Sequence, residues 1–234
     1  HGGEITRGLY DDPIRHSLTK ISLLHFVSTE IYRKRVVQLG EHPDRVFNVG
    51  AFGLDTITDC QYLSSAELAH KYNFDFSSDF LLVTFHAETM SNNNPLEQLE
   101  ELLKGIKNSK MNAIFTMANA DNEGRLINKR LQHFVEANSS QYILVESMGS
   151  THYLSAMNLC ACVVGNSSSG LIEAPSFGKP TVNVGERQRG RIKSSSVIDC
   201  LAEATDILKA IRQSQSSGFQ RICLKRENVY GEPG

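Results

Sequence analysis

The sequence predicts an α/β protein built around parallel β-sheets, and two features carry this prediction. Short apolar runs rich in β-branched residues alternate with longer amphipathic stretches from about Phe80 onwards. Continuous apolar runs are typical of strands buried on both faces, and strands that alternate with helices form right-handed βαβ crossovers. Residues 1–56 repeat this alternation in a shorter form. We therefore expect two Rossmann-like parallel-sheet domains, of which the first is incomplete.

Residues 1–56 are predicted to be the C-terminal part of the first domain. Asp12 followed by Pro13 is a good helix start, because aspartate caps free N–H groups and proline suits the first turn. The predicted order is helix 14–22, strand 23–28, helix 30–39 and strand 45–50. Residues 57–78 are predicted to be a linker with one amphipathic helix near residues 65–72.

Residues 79–215 are predicted to form the second Rossmann-like domain. Its predicted strands are 80–85, 111–117, 141–146, 161–165 and 180–185. Helices with an apolar stripe are expected over 95–106, 122–135, 153–159 and 168–177, the third of them capped by Ser150. Residues 216–234 are assigned to a frayed tail.

The composition argues against several kinds of partner. Apolar residues make up 40% of the chain and charged residues 21%, as in an ordinary globular protein. A net charge of -2 argues against nucleic acid, and no apolar run approaches the ~20 residues needed to cross a bilayer, so we expect no membrane partner either. The five cysteines lack zinc spacing and are expected to be free buried thiols in a reducing cytoplasm, where we place the protein.

Small, polar or basic residues follow every predicted strand of the second domain. They are His86 with Glu88, Asn119 with Asp121, the turn Met148-Gly149-Ser150, the run GNSSSG (165–170) and the run GERQRGR (185–191). Ligands of open parallel sheets bind at the carboxyl ends of the strands, so these residues are expected to face one crevice. The sequence thus predicts a polar ligand site there.

The GNSSSG turn is predicted to bind phosphate. A turn of this kind that opens a helix exposes backbone N–H groups in front of the positive helix end, and the hydroxyls of Ser167 and Ser168 add donors. The three arginines of residues 187–191 would supply the countercharge and forked donors that a diphosphate needs. A plain serine N-cap and a solvated arginine loop are the alternatives that the sequence leaves open.

Four carboxylates and one histidine are candidates for ribose binding or proton transfer. Glu173, early in the helix after GNSSSG, either accepts hydrogen bonds from ribose hydroxyls or complements the helix dipole. His86 is either a satisfied histidine at a strand end or a donor to a phosphate or base. Glu4 follows two glycines at a strand end, which favours a catalytic role, whereas Asp11 and Asp12 are either catalytic or helix caps.

Four segments resemble the hydrolysing UDP-N-acetylglucosamine 2-epimerases that serve sialic-acid-type sugar synthesis. They are HGGEITRGLYDDPIRHSLTKIS (1–22), RVFNVGAFGLD (45–55), MANADNEG (117–124) and GNSSSGLIEAPSFGKPTVNVGERQRGR (165–191). They follow the family's order over nearly the whole chain. The resemblance implies a GT-B-like fold with a UDP-sugar in the cleft between two Rossmann-like domains. It also implies a reaction without metal or nicotinamide cofactor.

The resemblance further implies roles for individual residues. The catalytic residues that it implies are Glu4, Asp11, Asp12 and His86. The substrate-binding residues that it implies are Asn119, Ser167, Ser168, Glu173, Arg187 and Arg191. Within this set, the serines would bind the phosphates and Glu173 the ribose, and His86 would also contact the diphosphate.

The resemblance leaves the sugar open. The same reaction on UDP-2,4-diacetamido-2,4,6-trideoxyglucose, on the route to legionaminic acid, is one alternative. A glycosyltransferase or a non-catalytic nucleotide-sugar-binding fragment is another. The family's first domain begins with βαβ units that this sequence lacks, and the opening HGGE has no initiator methionine. We therefore expect upstream sequence, little or no turnover by this chain alone, and a homodimer or homotetramer at full length.

Overall fold

The computed structural model describes residues 2–6, 11–88, 94–119 and 122–233, with the backbone alone at Asp11 and Asn122. Within this part of the chain the strands form two parallel sheets, one of two strands and one of six. No helix among these residues is both long enough and apolar enough to pass through a lipid bilayer.

The two-stranded sheet belongs to a small first unit. Its elements are α1 (Asp11–Ile21), β1 (His25–Val27), α2 (Glu30–Gln38), β2 (Val46–Asn48) and α3 (Asp55–Thr58). Val27 and Val46 are buried on one face of the sheet, as period-2 alternation requires. Phe26 and Phe47 stack on the other face with ring centroids 5.7 Å apart, and both are about half exposed. The first unit therefore has one open apolar face.

The six-stranded sheet forms the second unit. Its strands are β3 (Phe80–Thr84), β4 (Asn112–Thr116), β5 (Tyr142–Val145), β6 (Cys162–Gly165), β7 (Thr181–Val184) and β8 (Val197–Cys200). The helices are α4 (Ser65–Tyr72), which precedes the sheet, α5 (Pro95–Ser109), α6 (Asn122–Glu136), α7 (Gly149–Leu159), α8 (Ser169–Ile172), α9 (Ala204–Ser214) and α10 (Ser217–Cys223). All strand pairs are parallel, in the order β5-β4-β3-β6-β7-β8.

The strand order reverses between β3 and β6. The chain first builds outward from β3 through β4 to β5, and then crosses back to place β6 on the other side of β3. The connection after β3 therefore runs toward one side of the sheet, and the connection from β5 to β6 returns to the other side of β3. In doubly wound sheets a crevice opens at this switch point, beyond the carboxyl ends of the two strands.

Both faces of the large sheet are covered. Leu81 and Val83 point into a core that includes side chains of α5, α6 and α9, whereas Phe80 and Leu82 point into a core that includes α4, α7 and α8. The second core continues into the buried side chains of the first unit. The two units therefore share one hydrophobic layer, which fixes the position of the first unit relative to the large sheet.

Two predictions about helix ends are wrong. Ser150 does not cap α7, which starts one residue earlier, and the Ser147 hydroxyl instead accepts a hydrogen bond from Gly149 N–H at 3.3 Å. The helix expected over 168–177 breaks into α8 and a 3₁₀ turn, Ala174–Phe177. Pro175 explains the break, because it has no N–H to continue the α-helical pattern.

The C-terminal segment is ordered, so the prediction of a frayed tail is also wrong. After α10, Tyr230 is only 1% exposed, and its hydroxyl donates to Ile192 O at 3.0 Å. Its carbonyl accepts a hydrogen bond from Ala51 N–H at 2.9 Å, which ties the segment to the first unit. Sequence analysis also assigned no element to residues 197–214, where β8 and α9 lie. The predicted domain boundaries otherwise remain a prediction.

Candidate active site

The candidate site lies at the switch point between β3 and β6. Gly165 ends β6 with φ +128°, and a Cβ atom added there would lie 1.9 Å from Thr84 O on β3. Only glycine permits so close an approach of two backbones. The residues that follow these two strands are therefore side by side.

Asn166 connects the two strand ends. Its side chain is fully buried, donates to His86 O at 2.8 Å and accepts from His86 N–H at 2.8 Å. His86 Nδ1 in turn accepts a hydrogen bond from Asn119 N–H at 3.3 Å. The ends of β3, β4 and β6 are thus joined through His86, which is held by its backbone on one side and by its ring on the other.

The loop after β7, residues 185–191, is called the arginine loop below. Arg187 Nη1 and Gln188 Nε2 both donate to Asn166 O, at 3.0 and 2.6 Å. Glu88, only 6% exposed, accepts the backbone N–H groups of residues 186 and 187 at 2.8 and 3.2 Å. A buried carboxylate that accepts two N–H groups fixes the turn that presents the arginine. The arginine loop is therefore anchored to β3 and β6.

The serines of the GNSSSG turn are half-buried beside a cavity of about 350 Å³. The lining residues include Thr84, Thr116, Met148, Tyr153, Ser167 and Ser169. The α8 helix spans only four residues, so its dipole is short and local donors must hold any anion here. An anion bound at this turn would therefore depend on the serine hydroxyl and backbone N–H groups more than on the helix dipole.

Glu173 lies at the end of α8, and its environment disfavours a free negative charge. Burial raises the pKa of its carboxyl group, while a hydrogen bond from Ser169 and the charge of Arg191 partly offset this effect. Among the described residues its Oε2 atom is buried without a hydrogen-bond partner. A buried acceptor of this kind is expected to gain a donor when a ligand binds. Burial likewise raises the pKa of Tyr153, which hydrogen-bonds to Ser169 and Thr84.

Glu4 is buried, with 4% of its surface exposed, and its carboxylate lies between two arginines. Arg15 Nη1 contacts Oε1 at 3.0 Å from α1, and Arg191 Nη2 contacts the same oxygen at 2.5 Å from the arginine loop. The Thr6 hydroxyl donates to Oε1 at 3.2 Å. Asp12 lies in the same network, because it accepts Thr6 N–H at 2.8 Å. The Asp11 side chain lies outside the described part of the chain.

The three arginines of the arginine loop do not act together as the sequence predicted. Arg187 donates to the backbone carbonyl of Asn166, and Arg191 pairs with Glu4. Arg189 is directed to solvent, with 64% of its side chain exposed, and contacts Glu186 at 3.2 Å. The residues alternate along the loop, so that only the first and last reach buried partners.

Several residues that build the site were missed or left without a role by sequence analysis. Asn166, Glu88 and Gln188 form the hydrogen bonds that fix the loops after β3, β6 and β7, and Arg15 pairs with Glu4. Asn166 and Glu88 stood in the strand-end runs, and that position was a usable signal. Arg15 stood in the segment 1–22 without a role, and nothing in the sequence marks Tyr153, because its partners come from distant segments.

No group of three or more His, Cys, Asp or Glu side chains in the described residues is placed to hold a metal ion. The described cysteines are all free, and burial raises the pKa of Cys160 and Cys162 to about 12. Thiols with such values stay protonated at neutral pH and are poor nucleophiles. The polar groups of the described site are thus carboxylate, amide, hydroxyl, imidazole and guanidinium.

Together the fold and the site define a class: a Rossmann-like α/β protein with a polar, arginine-bearing site at its switch point, of the kind that binds nucleotides. A model of the family described as UDP-N-acetylglucosamine 2-epimerase matches residues 1–234. The chain belongs to this family.

Curated relatives agree with this assignment. The chain is 40% identical over 221 residues to a GDP/UDP-N,N'-diacetylbacillosamine 2-epimerase (hydrolyzing) of Campylobacter jejuni, covering 94% of the chain and 57% of that protein. It is 40% identical to polysialic acid biosynthesis protein P7 of Escherichia coli, covering 98% and 59%. It is 31% identical to a UDP-N-acetylglucosamine 2-epimerase of Neisseria meningitidis, covering 93% and 56%. The chain therefore spans less than three fifths of the length of these relatives.

Solved structures share the fold. The UDP-GlcNAc 2-epimerase from Neisseria meningitidis bound to UDP-GlcNAc superimposes with a TM-score of 0.80 at 16% identity, covering 98% of this chain and 64% of that one. The Staphylococcus aureus MnaA–UDP structure gives 0.76 at 15% identity, covering 99% and 64%. The predicted GT-B-like fold with an incomplete first domain is confirmed.

Proposed function

We propose that this chain is the part of a hydrolysing 2-epimerase that holds UDP and carries the catalytic carboxylates Glu4, Asp11 and Asp12, and that the enzyme converts UDP-N-acetylglucosamine and water into N-acetylmannosamine and UDP. One observation carries the proposal: the arginine loop contacts the strand-end seat through Arg187 and the buried carboxylate of Glu4 through Arg191. Arg187 and Arg191 are four residues apart on one loop, so this loop connects the proposed diphosphate site with the group proposed for proton transfer.

The diphosphate is assigned to the seat formed by Ser167, Ser168, His86 and Arg187. These residues follow the carboxyl ends of β3, β6 and β7, and their hydroxyl, imidazole and guanidinium groups can donate to phosphate oxygens. The nucleoside is assigned to the cavity that Ser167 and Ser169 line, and Asn119, whose N–H donates to His86 Nδ1, is assigned to contact it.

Glu173 is assigned to the ribose of the nucleoside. Its buried Oε2 atom has no donor among the described residues, and two ribose hydroxyl groups would supply one. The role explains why an acidic side chain stands beside a phosphate seat.

The chemistry requires a leaving group and a base together. The hydrogen on C2 of the sugar is not acidic, so loss of UDP from C1 must accompany its removal, which leaves a 2-acetamidoglucal. The C1–O bond electrons go to UDP, whose negative charge the seat stabilises. Water then adds its hydroxyl group to C1, and an acid protonates the opposite face of C2, so the net reaction consumes one water molecule.

Carboxylates are the proposed proton carriers. Glu4, Asp11 and Asp12 are assigned to the sugar side of the cleft, and two such groups are the minimum for removal and delivery of a proton on opposite faces. Glu4 is the best supported of the three, because it is buried and directly joined to the arginine loop.

The relatives are named for two different sugars carried by the nucleotide. The Campylobacter and Legionella relatives are named for N,N'-diacetylbacillosamine, and the Neisseria relative for UDP-N-acetylglucosamine. The E. coli relative is named for polysialic acid synthesis, in keeping with N-acetylmannosamine as the product. Release of UDP from the two substrates, measured side by side with the full-length protein, decides between them.

The test of catalysis is Glu4→Gln in the full-length protein. The amide keeps the size of the side chain but cannot take up a proton, so we expect turnover to fall by roughly 10²–10⁴-fold, the usual contribution of a general acid or base. UDP affinity, measured by calorimetry, is expected to change less than threefold.

The same experiment separates the enzyme from a non-catalytic UDP-sugar sensor. A sensor would bind UDP and release no free sugar from either substrate, even as the wild type. Wild-type turnover that survives Glu4→Gln would remove Glu4 from the mechanism. The cytoplasmic location and the homodimer or homotetramer expected from the sequence remain predictions.

A further inference from the structure

Arg191 was assigned to the substrate on sequence grounds, yet the ion pair and the hydrogen bond described for its side chain are with the first unit. Its Nη2 atom lies 2.5 Å from Glu4 Oε1, and its Nε atom donates to the Thr6 hydroxyl at 3.3 Å. Both partners are buried, and the Arg191 side chain itself is 9% exposed. One of these bonds reaches the carboxylate itself, and the other reaches the Thr6 hydroxyl, which in turn donates to Glu4 Oε1. The forked guanidinium thus holds the carboxylate both directly and through Thr6, which a single point charge would not do.

The backbone on both sides of Arg191 also packs against the first unit. A Cβ atom added to Gly190, which has φ +96°, would lie 2.9 Å from Ile5 Cγ2. Ile192 N–H donates to the Tyr32 hydroxyl at 3.4 Å, and Ile192 O accepts from Tyr230 at 3.0 Å. The contact between Arg191 and Glu4 is therefore part of a packed junction and not an isolated surface ion pair.

We infer that Arg191 is a positioning residue, which reaches from the second unit into the first and holds the Glu4 carboxylate in its reactive orientation. This role presupposes the 2-epimerase function proposed above. It makes the geometry of Glu4 depend on how the two units sit together. Because Arg187 lies at the other end of the same loop, binding of a diphosphate and alignment of Glu4 share one rigid connection.

The alternative is the phosphate role that the sequence suggested. An arginine that binds phosphate contributes to the affinity for UDP and for substrate, so its loss raises KM and weakens UDP binding. An arginine that orients a proton-transfer group acts on the chemical step, so its loss lowers kcat. The two roles therefore predict different kinetic signatures.

The experiment compares Arg191→Met, Arg191→Lys and the matched control Arg189→Met in the full-length enzyme. Arg189 lies on the same loop but is directed to solvent, so its replacement removes equal charge without touching Glu4. We expect Arg191→Met to lower kcat by roughly 10–100-fold with KM and UDP affinity within threefold. Arg191→Lys keeps the charge but not the fork, and is expected to recover part of kcat. Arg189→Met is expected to match the wild type within twofold.

A rise in KM and in the dissociation constant of UDP of tenfold or more, with kcat retained, would overturn the inference in favour of a phosphate contact. Unchanged kinetics in Arg191→Met would overturn it as well. If Arg191→Met does not fold, the same criteria apply to Arg191→Lys.

A second measurement is independent of turnover. The melting temperatures of the wild type, Glu4→Gln, Arg191→Met and the double variant of the full-length enzyme form a double-mutant cycle. Coupled partners give losses that do not add, and additive losses would contradict the pairing. If the wild type releases no UDP from either sugar, the proposed function fails while this cycle still judges the contact.

Discussion

At the scale of single residues, the site depends on buried polar side chains whose partners come from distant parts of the chain. Asn166 connects two strand ends, Glu88 holds the arginine loop, and Glu4 is enclosed by Arg15 and Arg191. Glu173 differs from these residues, because one of its buried oxygens has no partner among the described residues and burial raises its pKa. A carboxylate kept in such a place has an unfavourable effect on stability that ligand binding can offset.

Glu173→Gln is therefore expected to stabilise the free chain at neutral pH. Because the folded-state pKa is raised above the unfolded value, the penalty develops as the pH rises through the unfolded value near 4.5 and is complete above the folded value. We expect a gain on the order of 1 kcal/mol at pH 7, or roughly 2–4 °C in Tm, that vanishes below pH 4. Thermal unfolding across pH 3.5–8 measures it, and an unchanged Tm at pH 7 would count against the buried-charge account.

The same variant tests the ribose contact. Loss of a hydrogen bond to a charged acceptor is expected to weaken UDP binding by roughly tenfold. Binding of 2',3'-dideoxy-UDP, which lacks the hydroxyl groups, is expected to be equal in wild type and variant. Glu186→Gln is the control, since that side chain is 57% exposed and forms its described ion pair with Arg189. An equal loss for both nucleotides would place Glu173 elsewhere than at the ribose.

At the scale of elements, the decisive feature is the close contact between β3 and β6. Strands β3 and β6 pair in parallel with Thr84 opposite Gly165, and the left-handed φ of Gly165 turns the chain directly into Asn166. The turn therefore places the Asn166 side chain against His86 and its carbonyl toward the arginine loop. The position of three loops follows from this one strand end.

Gly165→Ala is expected to disrupt this arrangement. The added methyl group would lie 1.9 Å from Thr84 O in a backbone conformation that alanine rarely adopts, so we expect a loss of at least about 3 kcal/mol. Gly218→Ala is the matched control, because nothing lies within 4 Å of an added Cβ in that helical position. Its effect should stay within about 1 kcal/mol. Chemical denaturation measures both variants, and similar midpoints would refute the steric argument.

At the scale of the whole molecule, the first unit is a small two-stranded sheet with its helices, and much of its apolar surface is exposed. Large apolar side chains are exposed there in a density not matched in the second unit: Ile14, Leu18, Ile21, Leu23, Leu24, Phe26, Ile31, Phe47, Val49 and Phe52. Contiguous exposed apolar surface is a site of association. The chain also spans under three fifths of the length of its curated relatives.

The 234-residue chain alone is accordingly expected to self-associate and to release little or no UDP from a UDP-sugar. Phe26→Lys should weaken the association, because it places a charge in the stacked pair with Phe47. Leu224→Lys is the control, since Leu224 is 67% exposed on the opposite end of the chain. Sedimentation velocity at increasing concentration measures the effect. A monomer at all concentrations, or near-normal turnover, would contradict this expectation.

Much of the second unit could be predicted from the sequence, because its strands are continuous apolar runs and its helices carry regular stripes. The predicted strands 80–85 and 111–117 correspond to β3 and β4, and the helix near 65–72 to α4. β8 was missed because an edge strand is only partly buried and lacks such a run. Tyr230 was missed because a single aromatic residue in a polar segment gives no periodic signal.

The sequence by itself determined the α/β class, the order of the strands and helices up to β7, and the polar runs at the strand ends, since these depend on local periodicity and residue type. The tertiary structure decided which partners those residues have. It separated the three arginines of one loop into a partner of Asn166, a solvent-exposed residue and a partner of Glu4. It also turned the expected tail into part of the junction between the units. Contacts between segments far apart in the chain are set by packing and burial, which no local pattern encodes.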